Sequence, residues 1–345
     1  MSAQSVPTES FHQRHEREVA ERVIRMLESG VGPFVQPWDA ATDLGLPMNP
    51  TTGKSYRGSN MLHLWSLQEE RDLRDNRWLT CKQSNASGAR VRRGEKSSLV
   101  KYWDWSAVEE AKKTGDAALI EQARPRAFYA HVFNATQIDG LPELERPGLR
   151  PEHEIHAACE QVIRNSGAIV LHDGGSRAYY QPSSDTIHLP PRDAFHSQSA
   201  LYAVALHELA HWSGYPTRLK RNLSGAFGSL DYAREELVAE ISSMTMGERL
   251  SVGHDPTQHA AYIKSWLRLL RDDPKEIFRA AAAAERVVEF LKVPELVRVP
   301  MARVEKAQEA VVADQQELEK TSPAHAPRKH RNRSRLRALE SEMTI

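Results

Sequence analysis

The sequence predicts an α+β protein with two domains: an N-terminal α+β domain, and a C-terminal, mainly helical domain with a small sheet. Three observations support this prediction. Segments rich in aromatic and β-branched residues occur in the first half, apolar residues recur at helical spacing in the second half, and a proline-rich segment separates the two. A chain of 345 residues is also longer than one domain usually is.

Five regions are expected along the chain. They are a flexible N-terminus (1–10), a first domain (11–140), a linker (141–151), a second domain (152–295) and a charged, disordered tail (296–345). The linker carries three prolines and a glycine without periodicity, and arginines cluster in the tail.

The elements of the first domain follow from local patterns. Apolar residues at helical spacing end at Gly30, and two prolines then predict an extended segment that ends in Trp38. We expect helices at 11–29 and 61–71, a strand and short helix from 78 to 88, strands at 98–105 and 126–133, and a surface excursion at 109–124.

The second domain is predicted to be mostly helical. Helices are expected at about 152–165, 197–213, 232–249, 256–271 and 274–291, with short strands near Ile169, Ala178 and Ile187.

Composition excludes several classes of protein. Lys plus Arg equals Asp plus Glu at 46 each, so net charge favours no class of partner. The first ten residues lack an apolar signal region, and no apolar run is long enough to span a bilayer, which predicts no membrane partner. The two cysteines, Cys81 and Cys159, form no disulfide framework, so a reducing cytoplasm is expected.

The most informative motif is His207-Glu208-Leu209-Ala210-His211, which follows an apolar run. On a helix the two imidazoles project from one face and can hold one zinc ion, while Glu208 can take a proton from water that the metal activates. This is the H-E-x-x-H pattern of zinc peptidases. The pentapeptide alone also fits an amphipathic helix with surface histidines, but the apolar run favours a buried site.

Catalytic zinc usually has a third protein ligand, which should lie downstream. Glu236 and Glu240 share one face of the predicted helix at 232–249. We predict Glu236 as the third ligand and Glu240 as the hydrogen-bond acceptor of a ligand histidine. Glu235 remains an alternative ligand, because the sequence fixes a helix only to within a residue. Manganese or cobalt could replace zinc.

The expected reaction is hydrolysis of a peptide bond, with Glu208 moving a proton from the activated water to the leaving amine. By residue type, Tyr232, Tyr215 and His254 are candidate donors to the carbonyl oxygen. The protein substrate stays unnamed.

Basic and aromatic residues interleave in the first domain, as in proteins that bind single-stranded nucleic acid. The glycines around Lys54 lack the spacing of a nucleoside-triphosphate loop. Tryptophans in a core and arginines on a hairpin surface would give the same composition. The interleaved residues include Arg90, Tyr102 and Trp105, and DNA contacts are predicted for Tyr56, Arg57, Trp78, Lys82, Arg92, Arg93, Lys96, Lys101 and Trp103.

Several sequence blocks resemble the ArdC-type antirestriction family. In the first half they are Pro37-Trp38 and residues 49–60, 78–83, 91–96 and 132–137; in the second half they are residues 179–182, 185–190, 207–214, 218–219 and 232–240. The resemblance implies a single-stranded-DNA-binding domain followed by a zincin-like metallopeptidase domain related to SprT-like enzymes. It supports His207 and His211 as zinc ligands, Glu208 as the catalytic acid or base, and Glu236 as the third ligand.

The family resemblance implies an antirestriction protein of a mobile element in the bacterial cytoplasm. Its expected partners are single-stranded DNA, with double-stranded DNA left open, and a protein substrate. Two alternatives remain: a protein that shields DNA without proteolysis, and an accessory module of a conjugative primase.

Overall fold

The structure is a computed structural model that describes residues 9–29, 44–144, 150–253 and 262–295. Most of the predicted N-terminus, the extended segment that ends in Trp38, the middle of the linker, His254 and the basic tail lie outside the described residues.

Helices make up most of the second half and flank the sheet of the first. The helices are α1 (Phe11–Ser29), α2 (Gly58–Glu70), α3 (Cys81–Ala86), α4 (Ser106–Thr114), α5 (Ala117–Gln122), α6 (Glu152–Ser166), α7 (Gln198–Ser213), α8 (Leu230–Leu250), α9 (Ile263–Asp272) and α10 (Glu276–Phe290). The strands are β1 (Met48–Asn49), β2 (Lys54–Ser55), β3 (Trp78–Thr80), β4 (Arg90–Val91), β5 (Ser98–Asp104), β6 (Arg126–Asn134), β7 (Ile138–Asp139), β8 (Ile169–Leu171), β9 (Tyr179–Gln181) and β10 (Thr186–His188).

An antiparallel sheet in the order β3-β6-β5 lies at the centre of the N-terminal half. Alternation along the strands turns Val100 and Val132 towards α2, where they pack with Leu64 and Leu67. The charged insertion between β5 and β6 folds into α4 and α5, and α5 has no buried residue. The predicted surface excursion is therefore helical.

A second small sheet, in the order β8-β10-β9, lies beside α7. β10 pairs in parallel with β8 and antiparallel with β9, which leaves β9 at one edge. Every residue of α7 from Ala200 to Ala210 is buried, because neighbouring elements cover the helix on all sides. The H-E-x-x-H motif is thus inside the protein and not on an amphipathic surface.

Apolar residues from both halves share one core. α1 packs against α9 and α2 against α10, and the core that joins them includes Val23, Met61, Trp266 and Val287. At the start of α2, the Gly58 N–H donates to the Glu285 carboxylate of α10 at 2.9 Å. The segments on either side of the predicted linker therefore fold against each other.

Within the described ranges, none of the helices combines the length and the apolar character that crossing a bilayer requires.

Candidate metal centre and nucleic-acid surface

Two packed helices bring the predicted metal ligands together. The Ser197 side chain caps α7 by accepting from the Ala200 N–H, and Ser229 caps α8 in the same way. His207 and His211 of α7 then face Glu236 of α8, with one donor atom of each within 4.8 Å of the others. Among the residues that the structure describes, no other group of three metal-ligating side chains lies this close.

The distances in this group fit a single divalent ion. The two histidine Nε2 atoms are 3.2 Å apart. Glu236 Oε2 lies 3.5 Å from Nε2 of His207, and Glu236 Oε1 lies 3.7 Å from Nε2 of His211. Donor atoms bonded to one zinc ion at about 2.0–2.2 Å in tetrahedral geometry are roughly 3.3–3.6 Å apart. Two nitrogens and a carboxylate oxygen also form a donor set that zinc accepts.

Carboxylates orient both imidazoles. Nδ1 of His211 lies 3.1 Å from Glu235 Oε1, and Nδ1 of His207 lies 3.6 Å from Glu240 Oε2. With the proton on Nδ1, each ring would face an acid and would present Nε2 to a metal bound beside Glu236.

The Glu235 carboxylate forms an ion pair with Arg221. The Arg221 guanidinium donates to its two carboxylate oxygens at 2.9 and 2.8 Å. Arg221 also donates to the Ala210 carbonyl at 2.6 Å and to the Ser213 hydroxyl at 3.0 Å. The sequence left Glu236 and Glu235 as candidates for the third ligand. In the structure Glu236 faces the Nε2 atoms of both histidines, whereas Glu235 contacts Nδ1 of His211.

The surroundings favour positive charge on the imidazoles. Burial lowers the pKa of His207, but the Glu236 and Glu240 carboxylates outweigh burial and raise it to about 9. Burial also opposes charge on His211, yet Glu236 and Glu235 raise its pKa well above the usual range. Carboxylates that stabilise imidazolium in this way also stabilise a divalent cation, which competes with those protons.

Glu208 lies at a cavity of about 230 Å³ that His207, His211 and Glu236 also line. Burial raises the pKa of the Glu208 carboxyl, while the two nearby imidazoles oppose that rise. A carboxyl with a raised pKa, beside a cluster that fits a metal, has the properties of a group that both accepts and donates a proton.

The three predicted carbonyl-oxygen donors differ in position. Tyr232 lines the cavity, and its hydroxyl lies 3.1 Å from that of Tyr262 on the same wall. The Tyr215 ring lies under the Arg218 guanidinium at 4.6 Å and is not part of the lining. His254 lies outside the described residues. Sequence reasoning missed Tyr262, because nothing in its local sequence marks it.

One of the predicted DNA contacts requires correction. Trp78 is fully buried, and its indole N–H donates to the Gln68 side chain at 3.1 Å. The half-buried Tyr56 donates its hydroxyl to the Trp78 carbonyl. The buried Trp78 ring therefore cannot stack on a base, whereas a DNA contact of Tyr56 stays a prediction. The exposed Arg57 guanidinium pairs with Glu289 and Glu295, and its contact with DNA stays a prediction.

Four of the other predicted cations lie at the surface. Lys82, Arg92, Arg93 and Lys96 are exposed, although Arg92 pairs with Glu95 at 2.8 Å. Lys101 is partly buried: its ammonium pairs with Glu16 at 3.5 Å and lies 4.6 Å from the centroid of the exposed Trp103 ring. The four exposed cations are compatible with contacts to a phosphate backbone.

Exposed rings gather on the β5–β6 hairpin. Tyr102, Trp103 and Trp105 are each about half exposed. Tyr102 pairs across the strands with Phe128, and their rings stack at 5.6 Å. Sequence reasoning missed Phe128 and Arg126, whose guanidinium lies 5.8 Å from the Phe128 ring. Antiparallel pairing of β5 with β6 would have revealed both residues, because this register places them beside the aromatic end of β5.

Two families of known proteins match the chain. Residues 13–133 match the family described as the N-terminal domain of anti-restriction factor ArdC. Residues 157–283 match the family described as zincin-like metallopeptidase.

Solved structures give a similar result. The crystal structure of the antirestriction protein ArdC from plasmid R388, with Mn(II) bound, is 34% identical and superposes with a TM-score of 0.64, over 80% of this chain and 96% of that one. The metal-free crystal structure of the same protein superposes with a TM-score of 0.62.

Curated relatives include much longer proteins. A DNA primase TraC of Escherichia coli is 44% identical over 334 residues, which covers 92% of this chain but 30% of that protein. The chain therefore spans less than a third of that primase. The uncharacterized protein y4eC of Sinorhizobium fredii is 38% identical over 278 residues, covering 79% of this chain and 90% of that one.

Proposed function

The chain belongs to the ArdC antirestriction family, and on that premise we propose that it is a DNA-binding antirestriction protein that hydrolyses peptide bonds at one divalent metal site. The proposed site has His207, His211 and Glu236 as ligands. Bacterial cytoplasm is the proposed compartment, and single-stranded DNA and a protein are the proposed partners.

One observation carries the peptidase part of this proposal. Donor atoms of the three ligands lie within 4.8 Å of one another, with Glu208 at the same cavity. When bound there, a divalent ion supplies Lewis acidity, which acidifies a water molecule and polarises a substrate carbonyl. Zinc suits a set of two imidazoles and one carboxylate, and the Mn(II) bound to the R388 relative supports manganese as the alternative.

The protein's own groups move the proton and hold the substrate. Glu208 takes one proton from the attacking water and delivers it to the amide nitrogen as the carbon–nitrogen bond breaks, leaving a new carboxyl and a new amine. The Tyr232 hydroxyl, which lies in the cavity lining, is the proposed donor to the carbonyl oxygen. Burial first, and then its contacts with Tyr262 and Glu236, raise the Tyr232 pKa, so its phenol keeps its proton at neutral pH.

The DNA-binding part of the proposal is supported by the β5–β6 hairpin. Its exposed rings offer faces for unpaired bases, and Lys101 and Arg126 lie against two of those rings. Lys82, Arg93 and Lys96 are proposed to contact the phosphate backbone of the DNA. Binding the DNA would raise the concentration of DNA-associated proteins near the metal centre.

A Glu208→Gln variant tests the peptidase function. It should keep metal and DNA binding but lose protein hydrolysis and the protection of unmodified DNA in a restricting host. The exposed Glu154→Gln is the matched control and should retain all four properties. If Glu208→Gln protects DNA as well as wild type, peptidase activity is not the source of protection, and shielding of DNA becomes the function.

The similarity to TraC supports a third candidate, an accessory role in priming. An accessory module should increase primer synthesis by a conjugative primase on a single-stranded template. No increase at saturating protein would remove this candidate.

A further inference from the structure

The loop between α7 and α8 forms one wall of the cavity beside the candidate metal centre. Asn222, Leu223 and Gly225 of this loop line the cavity. The loop lies so close to α8 that a Cβ on Gly225 would be 2.5 Å from the Tyr232 nitrogen. The Asn222 side chain also accepts from the Ser224 N–H and hydroxyl at 3.1 and 2.7 Å. The glycine permits the close approach to α8, and the Asn222–Ser224 hydrogen bonds fix the local turn of the loop.

An exposed phenylalanine extends the wall to the surface. Phe227 is 80% exposed, and its ring lies 5.3 Å from that of Tyr232 and 6.5 Å from that of Tyr262. The two tyrosine rings are 5.7 Å apart, and both line the cavity. Phe227, Tyr232 and Tyr262, here called the aromatic wall, lead from solvent to the metal centre. Apolar surface left in water at such a position gains free energy when a ligand covers it.

The cavity has the size of a site for a single side chain. Its volume is about 230 Å³, whereas pockets that enclose a drug-sized ligand are about 300–1,000 Å³. Among the described lining residues, the acids lie with the histidines, and none is Lys or Arg. Ala203, Val204 and Leu223 also line the cavity and add to its apolar surface.

We propose that the aromatic wall is a subsite for a large apolar side chain, best filled by an aromatic ring, on the polypeptide that the metal centre cleaves. The inference rests on the proposed peptidase function and adds a substrate class to it. The side chain would belong to a residue next to the bond cleaved, because the wall adjoins the metal centre. Its ring would pack edge to face or offset against the rings of the wall.

Hydroxamates test the subsite without requiring catalysis, because they chelate a protein-bound divalent ion through one end. The zinc-loaded full-length protein is titrated calorimetrically with acetohydroxamate and with 3-phenylpropanohydroxamate. We expect the phenyl compound to bind about tenfold more tightly, as burial of one ring would give. The ratio of the two affinities should fall severalfold in Phe227→Ala and in Tyr262→Leu. Phe11→Ala removes another exposed phenylalanine, whose ring packs against Tyr129 and not against the aromatic wall, and should leave the ratio unchanged.

Each other outcome overturns the subsite in a distinguishable way. Equal affinities on wild type, or a ratio that survives Phe227→Ala, would reject the aromatic wall and leave the metal centre intact. Tighter binding of 6-aminohexanohydroxamate than of the phenyl compound would make the cavity a site for a cationic side chain. If neither acetohydroxamate nor the phenyl compound binds the zinc-loaded protein, both the proposed metal centre and the subsite are rejected.

Discussion

Glu235 Oε1 lies 3.1 Å from Nδ1 of His211, and Arg221 holds the same carboxylate with two hydrogen bonds of 2.8 and 2.9 Å. Arg221 is in the loop after α7, Glu235 is in α8, and His211 is in α7. The three side chains therefore lock one imidazole between two helices. Such an arrangement fixes the tautomer that leaves Nε2 available to a metal.

Arg221→Lys tests this arrangement. The substitution keeps the charge but removes the two-point hold on Glu235, so the His211 ring loses its fixed orientation. We expect the affinity for zinc or Mn(II) to fall about 10–100-fold in competition with a chromophoric chelator. Arg192→Lys, at the exposed pair with Glu160, is the matched control. Wild-type affinity in Arg221→Lys would show that His211 needs no such support.

Metal removal should lower thermal stability. A ligand that binds only the folded state at a hundred times its dissociation constant adds about 2.7 kcal/mol to the free energy of unfolding. We expect a chelator to lower the Tm of wild type and added zinc to restore it, as followed by circular dichroism. Glu236→Ala should not respond to the chelator. An equal shift in both proteins would place the metal elsewhere.

Removing a ring from the hairpin should weaken binding of single-stranded DNA. Trp103→Ala and Tyr102→Ala should each cost about 1–3 kcal/mol per stacked base, which is roughly 5- to 150-fold in Kd. Fluorescence anisotropy with a labelled oligonucleotide at fixed salt measures the change. Leu119→Ala removes an exposed apolar side chain from α5 and is the control. Unchanged affinity in both ring variants would remove the hairpin from the DNA interface.

The sequence predicted the centre of the candidate site better than its surroundings. Spacing within α7 and α8 indicated His207, His211 and the acidic helix, because residues four apart share a helical face. It left Glu235 and Glu236 as alternatives, since a shift of one residue rotates a helix by about 100°. Arg221 lies fourteen residues before Glu235, and no local pattern joins them.

The N-terminal half shows why composition could not separate core from surface. Trp78 and Trp103 both lie in strands, but α2 covers the first, and Gln68 satisfies its indole N–H. Trp103 lies at the end of β5 near α4, outside the part of the sheet that α2 covers. Only the pairing of β5 with β6 and the placement of α2 distinguish the two rings.

Acid should destabilise the protein through His63. Burial first, and then Arg22, His15 and Arg71, lower its pKa well below the value of an unfolded histidine, about 6.5. Unfolding therefore takes up a proton once the pH falls below about 6.5. The contribution of neutral His63 is fully present above that pH and is lost as the pH falls towards the folded pKa.

Urea unfolding at pH 7.5, 6.5 and 5.5 measures this effect. The loss due to His63 approaches about 1.4 kcal/mol per pH unit below pH 6.5, and His63→Leu should reduce the slope by that amount. The exposed His153→Leu should leave the slope unchanged. The same slope in His63→Leu and wild type would assign acid sensitivity to other groups.

The most direct test of the account is elemental analysis of the metal bound to the purified protein after saturation with zinc and removal of free metal. Wild type and the surface control Glu121→Ala should each retain one ion per chain, whereas Glu236→Ala and His211→Ala should retain well below one. One ion per chain in Glu236→Ala, together with its loss from Glu235→Ala, would contradict the assignment of Glu236 as ligand. Full retention in both His211→Ala and Glu236→Ala would contradict the metal centre itself.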